Sequence, residues 1–250
     1  MNLPKALVFA FFLMSCGWCI AQESSRGPDG GTTTHVSGVE LLSIPGKPFS
    51  AHTSTDWTRT LADGSTVVKH LDATLARDGR GRIYRERRTF VPGGSNEKAR
   101  LNEVHLYDPI SRSQALCAAR TFQCVITDYA PVTTYEPRQA GTTHDGSRTL
   151  TREALGSDTI EGIYVVGTRE TTTINPGVMG NDRPIVSVRE FWYSDELQTN
   201  LLVTRIDPVE GTQVIRLSGI QVGEPDPHLF ALPIGYSARD ERSATLHRHN

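Results

Sequence analysis

The feature that most constrains the fold is a series of short runs rich in Thr, Val and Ile, each closed by a turn signal. β-branched residues favour strands, and the pairs Asp63-Gly64 and Asp78-Gly79 favour tight hairpin turns because glycine accepts positive φ. We find no amphipathic helix longer than two turns. The pattern predicts ten or eleven strands, which fall at residues 49–61, 66–77, 82–90, 102–107, 113–118, 124–129, 149–155, 163–174, 185–193, 201–207 and 212–222.

Strands that follow one another through hairpins imply a mainly antiparallel sheet, and one sheet of this size must curl or close. The chain has 250 residues, of which 37% are hydrophobic, an ordinary globular composition. We therefore predict a single antiparallel β domain at 39–238. A flexible lead-in rich in Gly, Ser and Thr precedes it at 22–38, and a disordered polar tail follows at 239–250.

The amino terminus has the pattern of a secretory signal peptide at residues 1–21. Lys5 precedes an apolar run at 6–14 and small residues that lead to Ala21. This run is too short to span a bilayer, which takes about 20 apolar residues. We expect cleavage after Ala21, export to the periplasm or the medium, and no transmembrane segment in the mature chain. Two alternatives are a lipoprotein signal that leaves a lipid on Cys16, and a buried amino-terminal helix.

Export bears on the cysteines, because Cys117 and Cys124 are the two that remain once residues 1–21 are removed. An isolated pair in an oxidising compartment predicts a disulfide. The alternatives are two free thiols or half of a metal site. The C-x6-C spacing is not that of a zinc knuckle, and no histidine lies nearby at ligand spacing.

The most charged stretch, GRGRIYRERRTF at 79–90, contains five arginines. Strand alternation puts Arg85 and Arg87 on one face and Glu86 and Arg88 on the other. Single-stranded nucleic acid needs one basic face interleaved with aromatic residues, and the net charge of −2 also disfavours nucleic acid as a partner. We predict a solvated, ion-paired sheet face, with weak contact to an anionic ligand or a membrane surface as the alternative.

Motifs for catalysis and cofactor binding do not occur in the sequence. It has no G-x-S-x-G elbow, no P-loop, no H-E-x-x-H and no G-x-G-x-x-G. Its eight histidines are scattered, although His70 and His105 lie in different predicted strands and could meet. We therefore predict no catalytic, cofactor-binding or metal-binding residues and no cofactor. An enzyme with its site in the loops at 131–158 or 176–184 stays open as an alternative.

The closing segment, EFWYSDELQTNLLVTRIDPVEGTQVIRLSGIQVGEPDPHLFALPIGY at 190–236, resembles the end of the periplasmic lipoprotein-carrier (LolA/RseB-like) superfamily. In that pattern a tryptophan strand, a D-P-x-x-G hairpin and a P-D-x-x-L-F turn end a curved antiparallel half-barrel. The stretch VHLYDP at 104–109 is similar to a strand and turn of the superfamily, and residues 161–174 resemble a strand of uncharacterised secreted bacterial proteins. The resemblance implies a mainly β half-barrel with few short helices.

The resemblance also implies a non-enzymatic binding or scaffold protein of the bacterial envelope, with a lipid or another apolar ligand on the concave face of its sheet. Lipoprotein carriers cover that face with helices, and this sequence offers none. The alternative is a structural module without a small-molecule ligand that uses an exposed sheet edge to bind an envelope protein. Phe230 follows the polar stretch at 223–228, and we predict that it is a buried anchor that closes the sheet.

Overall fold

The computed structural model describes Val39 and residues 41–134 and 138–242. The predicted signal peptide, the lead-in at 22–38 and residues 243–250 of the tail lie outside these described residues. In the described part, fourteen strands form one curved, open sheet, and a single turn of 3-10 helix occupies Pro227–Phe230. The strands are β1 Phe49–Thr60, β2 Thr66–Arg77, β3 Ile83–Arg88, β4 Val91–Pro92, β5 Leu101–Asp108, β6 Ser113–Ala118, β7 Gln123–Asp128, β8 Gly141–Thr142, β9 Arg148–Ile160, β10 Ile163–Ile174, β11 Ile185–Ser194, β12 Thr199–Asp207, β13 Gly211–Val222 and β14 Ser237–Asp240.

Each predicted run forms a strand, and the mainly β, antiparallel fold class is confirmed. β4, β8 and β14 were not predicted, because strands of two to four residues carry no readable alternation. β9 extends to Ile160, beyond the predicted end at 155, because the turn at Glu161 and Gly162 keeps residues 156–160 paired with β10. β14 includes Arg239 and Asp240, which were predicted to belong to the tail at 239–250 and not to the β domain at 39–238.

β1 lies at the centre of the sheet and pairs with β2 on one side and β13 on the other. From β2 the order continues through β3, β5, β6 and β7, and from β13 it runs back through β12, β11, β10 and β9 to β8. β4 pairs with β2 off this path. These pairs are antiparallel and most of them are joined by hairpins, whereas β14 pairs with β7 in parallel. The two halves of the chain thus form the two halves of one sheet.

One face of the sheet, here called the inner face, can be followed from strand to strand, because directly opposed residues share a face. Thr55 of β1 is opposite both Leu71 and Ile215, and Ile215 continues through Val203 to Phe191 of β11. The largest core cluster includes buried residues of this face, among them Phe49, Ala51, Leu75, Ile83, Val203, Ile215 and Leu217.

Val39 and residues 41–46 form a strap that packs on the inner face of β1–β3, and we call this covered region the closed half. Val39, Leu41 and Leu42 are buried and belong to the core. A glycine permits the approach at Gly81, where φ is +85° and a Cβ would lie 3.0 Å from the backbone carbon of Ile44. The strap therefore covers this part of the inner face in the described chain.

Two arginines hold the strap: Arg77 of β2, and Arg85 of the charged stretch. Arg77 donates from Nε to the Lys47 carbonyl at 2.9 Å and from Nη1 to the Leu42 carbonyl at 3.1 Å. It also donates from Nη2 to the carbonyl of Leu197. Arg85 donates to the Val39 carbonyl and is 7% exposed. The prediction of a solvated face is therefore wrong for Arg85, because the backbone acceptors of the strap replace water.

The ion-paired part of that prediction is confirmed for the neighbouring arginines. Arg82 pairs with Asp78 at 2.6 Å, Arg88 with Glu86 at 2.7 Å and Arg87 with Glu103 at 2.9 Å. The register puts Arg87 on the face of Arg85, and Glu86 and Arg88 on the opposite, outer face, as the alternation predicted.

Cys117 of β6 and Cys124 of β7 are directly opposite each other and are joined by a disulfide, as the sequence predicted. Both residues are buried on the outer face in a second core cluster with Val104, Leu106 and Ala115. The bond therefore ties together the two strands of one hairpin under a layer of apolar side chains.

Phe230 is half-buried, so the prediction of a buried anchor is wrong in its degree of burial. It lines a small cavity with Leu106, Ala115 and Leu232, and its ring lies 4.9 Å from the guanidinium carbon of Arg82. The same cavity is lined by the start of β3, the end of β5 and the start of β6, and Phe230 stays partly exposed to solvent.

Candidate functional site

The inner face is open over β10 and β11, where it forms a cleft of about 560 Å³. Val166 and Thr168 of β10 are directly opposite Tyr193 and Phe191 of β11, so all four side chains share the inner face. Val166 is 44% exposed, and the two aromatic side chains are half-buried. The floor of the cleft is therefore largely apolar and is not covered by the described chain.

The strap and a neighbouring loop form a wall of the cleft. Leu42 of the strap lines it together with Thr133 and Thr134. Ser43 holds the loop, because its backbone N–H donates to the Val132 carbonyl at 2.9 Å and its hydroxyl lies 2.7 Å from that of Tyr129. The strap thus closes one half of the inner face and borders the cleft in the other.

A row of charged side chains crosses the inner face at the cleft. Register places Arg152, Glu170, Arg189 and Arg205 opposite one another in β9, β10, β11 and β12. Glu170 is 1% exposed and accepts hydrogen bonds from Arg152 at 2.6 Å and from Arg138 at 3.0 Å. Burial by itself would raise the pKa of Glu170, but the two arginines outweigh it and lower that pKa. Glu170 therefore stays ionised.

Arg205 is also matched by acids, since its guanidinium lies 3.0 Å from Glu210 and 3.7 Å from Asp207. Its side chain is directed into this group at the end of the β12–β13 hairpin. The charge on Arg205 is therefore matched by acids within the chain, and Arg152 is paired with Glu170.

Arg189 differs from its neighbours in the row. Its Nε is buried and has no hydrogen-bond partner, and within the described residues the guanidinium forms no ion pair. Its guanidinium carbon lies 5.2 Å from the centre of the Phe191 ring. Asn200, which also lines the cleft, has a buried and unpartnered Oδ1. A buried polar atom without a partner costs about 1–3 kcal/mol, so both atoms call for an acceptor or donor from elsewhere.

The two histidines singled out in the sequence do not meet. His70 is on the outer face between Asp56 and Asp72, at 2.7 and 2.9 Å, and these carboxylates, Asp56 above all, raise its pKa. His105 is on the inner face beside Glu103 and Tyr107, and burial lowers its pKa.

Within the described ranges, no group of three or more His, Cys, Asp or Glu residues is placed to hold a metal ion. No helix of the same residues has the length and apolar character needed to cross a membrane. No local pattern marks Arg189, Phe191 and Asn200 as cleft residues, because their proximity depends on the order of β9–β12 in the sheet.

Comparisons with protein-family models and with curated proteins find no match. Among solved structures, the chain is similar to the MucA/MucB complex of Pseudomonas aeruginosa, with 10% identity over 77% of this chain and a TM-score of 0.38. It covers 59% of the matched chain of that complex. It is also similar to LprF from Mycobacterium bovis, with 17% identity and a TM-score of 0.31. That match covers 76% of this chain and 90% of the LprF chain.

A LolA superfamily protein from Nitrosomonas europaea shows 10% identity over 75% of this chain and 91% of its own, with a TM-score of 0.28. The described strands form an open, curved and mainly antiparallel sheet, which is the fold class that the sequence predicted. At these identities the likeness concerns the fold alone.

Proposed function

We propose that this chain is an exported, non-enzymatic binding protein of the bacterial envelope that holds a lipid-like ligand in the cleft on the inner face. The observation that carries the proposal is the uncovered apolar floor of Val166, Phe191 and Tyr193 in a cleft of about 560 Å³. Ligand sites of roughly 300–1,000 Å³ are typically apolar with a few placed polar groups. Each methylene buried there contributes about 0.8 kcal/mol before the costs of association.

The ionisable groups of the cleft favour binding over catalysis. Arg152 and Arg189 line it, Glu170 is kept ionised by its arginines, and burial raises the pKa of Tyr193. A general acid or base needs a pKa near the working pH, and the shifts at Glu170 and Tyr193 both move the pKa away from neutrality.

Export rests on the predicted signal peptide at 1–21, and the disulfide between Cys117 and Cys124 suits an oxidising compartment. We propose the periplasm or the extracellular medium as the location. A lipid on Cys16 would instead anchor the chain to a membrane. Sequencing the amino terminus of the exported protein separates the two, because cleavage after Ala21 leaves no Cys16.

A second candidate function, an interaction module, is favoured by the edge of the sheet. β8 pairs with Thr149 and Leu150 of β9, whereas residues 151–160 have no further strand beside them in the described chain. An extended segment of an envelope protein could add to such an edge by backbone hydrogen bonds.

Two matched valine variants test the proposed function. Val166 lines the cleft and is 44% exposed, and Val186 lies on the outer face of the next strand and is 45% exposed. We expect Val166→Asp to abolish binding of a fluorescent long-chain alcohol in a titration, and Val186→Asp to leave it unchanged. Equal binding by both variants would place the ligand elsewhere. Mass spectrometry of gently purified protein, with a search for co-purified lipid, would then identify the natural occupant.

A further inference from the structure

We infer that the ligand of the cleft carries an acidic head group, a carboxylate or a phosphate on an apolar chain, and that Arg189 binds this group. The inference rests on the proposed function and specifies its ligand. The positive and negative charges around the cleft are unequal in number.

The charged row and its partners contain four arginines, at 138, 152, 189 and 205, and three carboxylates, on Glu170, Asp207 and Glu210. Glu170 is shared by Arg138 and Arg152, and the other two carboxylates are held by Arg205. Arg189 has no acid of its own in the described chain. A negative charge from outside the chain would complete the row.

The position of Arg189 suits a ligand that is apolar at one end and acidic at the other. Its guanidinium carbon lies 5.2 Å from the centre of the Phe191 ring, which belongs to the apolar floor. The planar fork of N–H donors on a guanidinium matches the oxygens of a carboxylate or phosphate. An acyl chain along Val166 and Phe191 would therefore bring its acidic end to Arg189.

Asn200 adds a second requirement. Its unpartnered Oδ1 accepts hydrogen bonds, so it calls for an O–H or N–H donor in the ligand, whereas the buried Nε of Arg189 calls for an acceptor. An acidic amphiphile with a hydroxyl or amide N–H next to its charged group satisfies both atoms. We infer this class of ligand in preference to a neutral lipid.

The test compares probes of one chain length, namely dodecyl phosphate, dodecanoate and dodecanol, with inorganic phosphate as the head group alone. Binding to the full mature chain is measured by calorimetry at monomeric probe concentrations. We expect both acidic probes to bind about tenfold or more tightly than the alcohol, as a charge-assisted hydrogen bond in a sheltered site allows. Inorganic phosphate should bind far more weakly than dodecyl phosphate, because it buries no chain.

Three variants assign the preference to Arg189. Arg189→Gln should remove the preference, so that this variant binds dodecyl phosphate and dodecanoate no more tightly than dodecanol, and Arg189→Lys should keep part of the preference. Arg169→Gln is the matched control, because Arg169 lies on the neighbouring strand but on the outer face, paired with Glu153 and Glu190. It should behave like the wild-type chain.

Failure of this inference and failure of the proposed function give different results. Equal affinity of the wild-type chain for acid and alcohol overturns the inference and leaves the proposed function standing. Absence of binding by all three amphiphiles overturns the proposed function. A phosphate ion that binds as tightly as dodecyl phosphate contradicts the lipid-like ligand, and an acid preference that survives in Arg189→Gln contradicts the role of Arg189.

Discussion

The closed half of the inner face and the cleft contain arginines in opposite circumstances. In the closed half, Arg77 is fully buried and donates to three backbone carbonyls, two of them near or in the strap. In the cleft, Arg189 has a buried Nε and no acceptor in the described chain. Both lie on one face of one sheet, and the difference lies in what covers them. An arginine facing an apolar surface requires acceptors, which the strap supplies in one half and a ligand would supply in the other.

The largest effect is expected in the closed half, from Arg77→Met. Burial lowers the pKa of Arg77 to about 10, so the guanidinium is still charged near neutral pH and its hydrogen bonds are charge-assisted. Methionine leaves the carbonyls of Leu42, Lys47 and Leu197 without their donor. We expect the free energy of unfolding to fall by at least about 3 kcal/mol in a urea titration. A loss below about 1 kcal/mol would show that the strap does not depend on Arg77.

A smaller loss of stability is expected from Phe230→Ala, next to the outer-face residues Leu106 and Ala115. Truncation of a fully buried phenylalanine costs about 3–5 kcal/mol, but Phe230 is half-buried and its contacts are a shallow cavity and Arg82. We expect a loss of about 1–2 kcal/mol in thermal or urea unfolding, with no change in binding at the cleft. A loss near 5 kcal/mol would restore the idea of a full anchor, and a change in ligand affinity would couple the outer face to the cleft.

A pH-dependent effect is expected from His105 on the inner face of β5. Burial lowers its pKa, so the folded chain disfavours protonation relative to the unfolded chain, whose histidine titrates near 6.5. Stability contributed by neutral His105 is therefore present above about pH 6.5 and is lost as the pH falls below it. His105→Gln should show a shallower loss of stability than the wild-type chain between roughly pH 7 and 5.5.

The opposite sign at His70 provides the control for that experiment. Its folded pKa is raised by Asp56 and Asp72, so its contribution is present below about pH 6.5 and is lost as the pH rises through the folded pKa. His70→Gln should therefore flatten the alkaline side of the stability profile and not the acid side. If both variants flatten the same side, the assignment of the two environments is wrong.

The sheet was predictable because its signals are local. Alternating β-branched residues and glycine turns mark the strands, and Gly64 in the Asp63-Gly64 turn has the expected positive φ of 82°. In the next turn the positive φ is at Gly81 and not at Gly79. The local pattern therefore predicted the position of the turn correctly but not the glycine that adopts positive φ. The disulfide was also predictable, because it joins opposite positions of one hairpin.

The cleft was not predictable, because its signals are not local. Arg85 and Arg189 look alike in the sequence, each in a strand beside an acid. One is buried because the carbonyl of Val39 reaches it from a distant segment. Arg189 has no carboxylate partner in the described chain, because Glu170 on the adjacent strand already accepts hydrogen bonds from Arg152 and Arg138. Both outcomes depend on strand order and on the path of the strap.

The most direct test of this account is the free energy of unfolding of Arg189→Met, measured in urea without added ligand beside Arg77→Met. Methionine removes an unpartnered buried donor at position 189 and keeps an apolar contact with Phe191. We expect a stability within about 0.5 kcal/mol of the wild-type chain, or higher, against a loss of at least about 3 kcal/mol for Arg77→Met. A loss at Arg189 as large as that at Arg77 would contradict the account, because it would mean that the chain itself already satisfies Arg189.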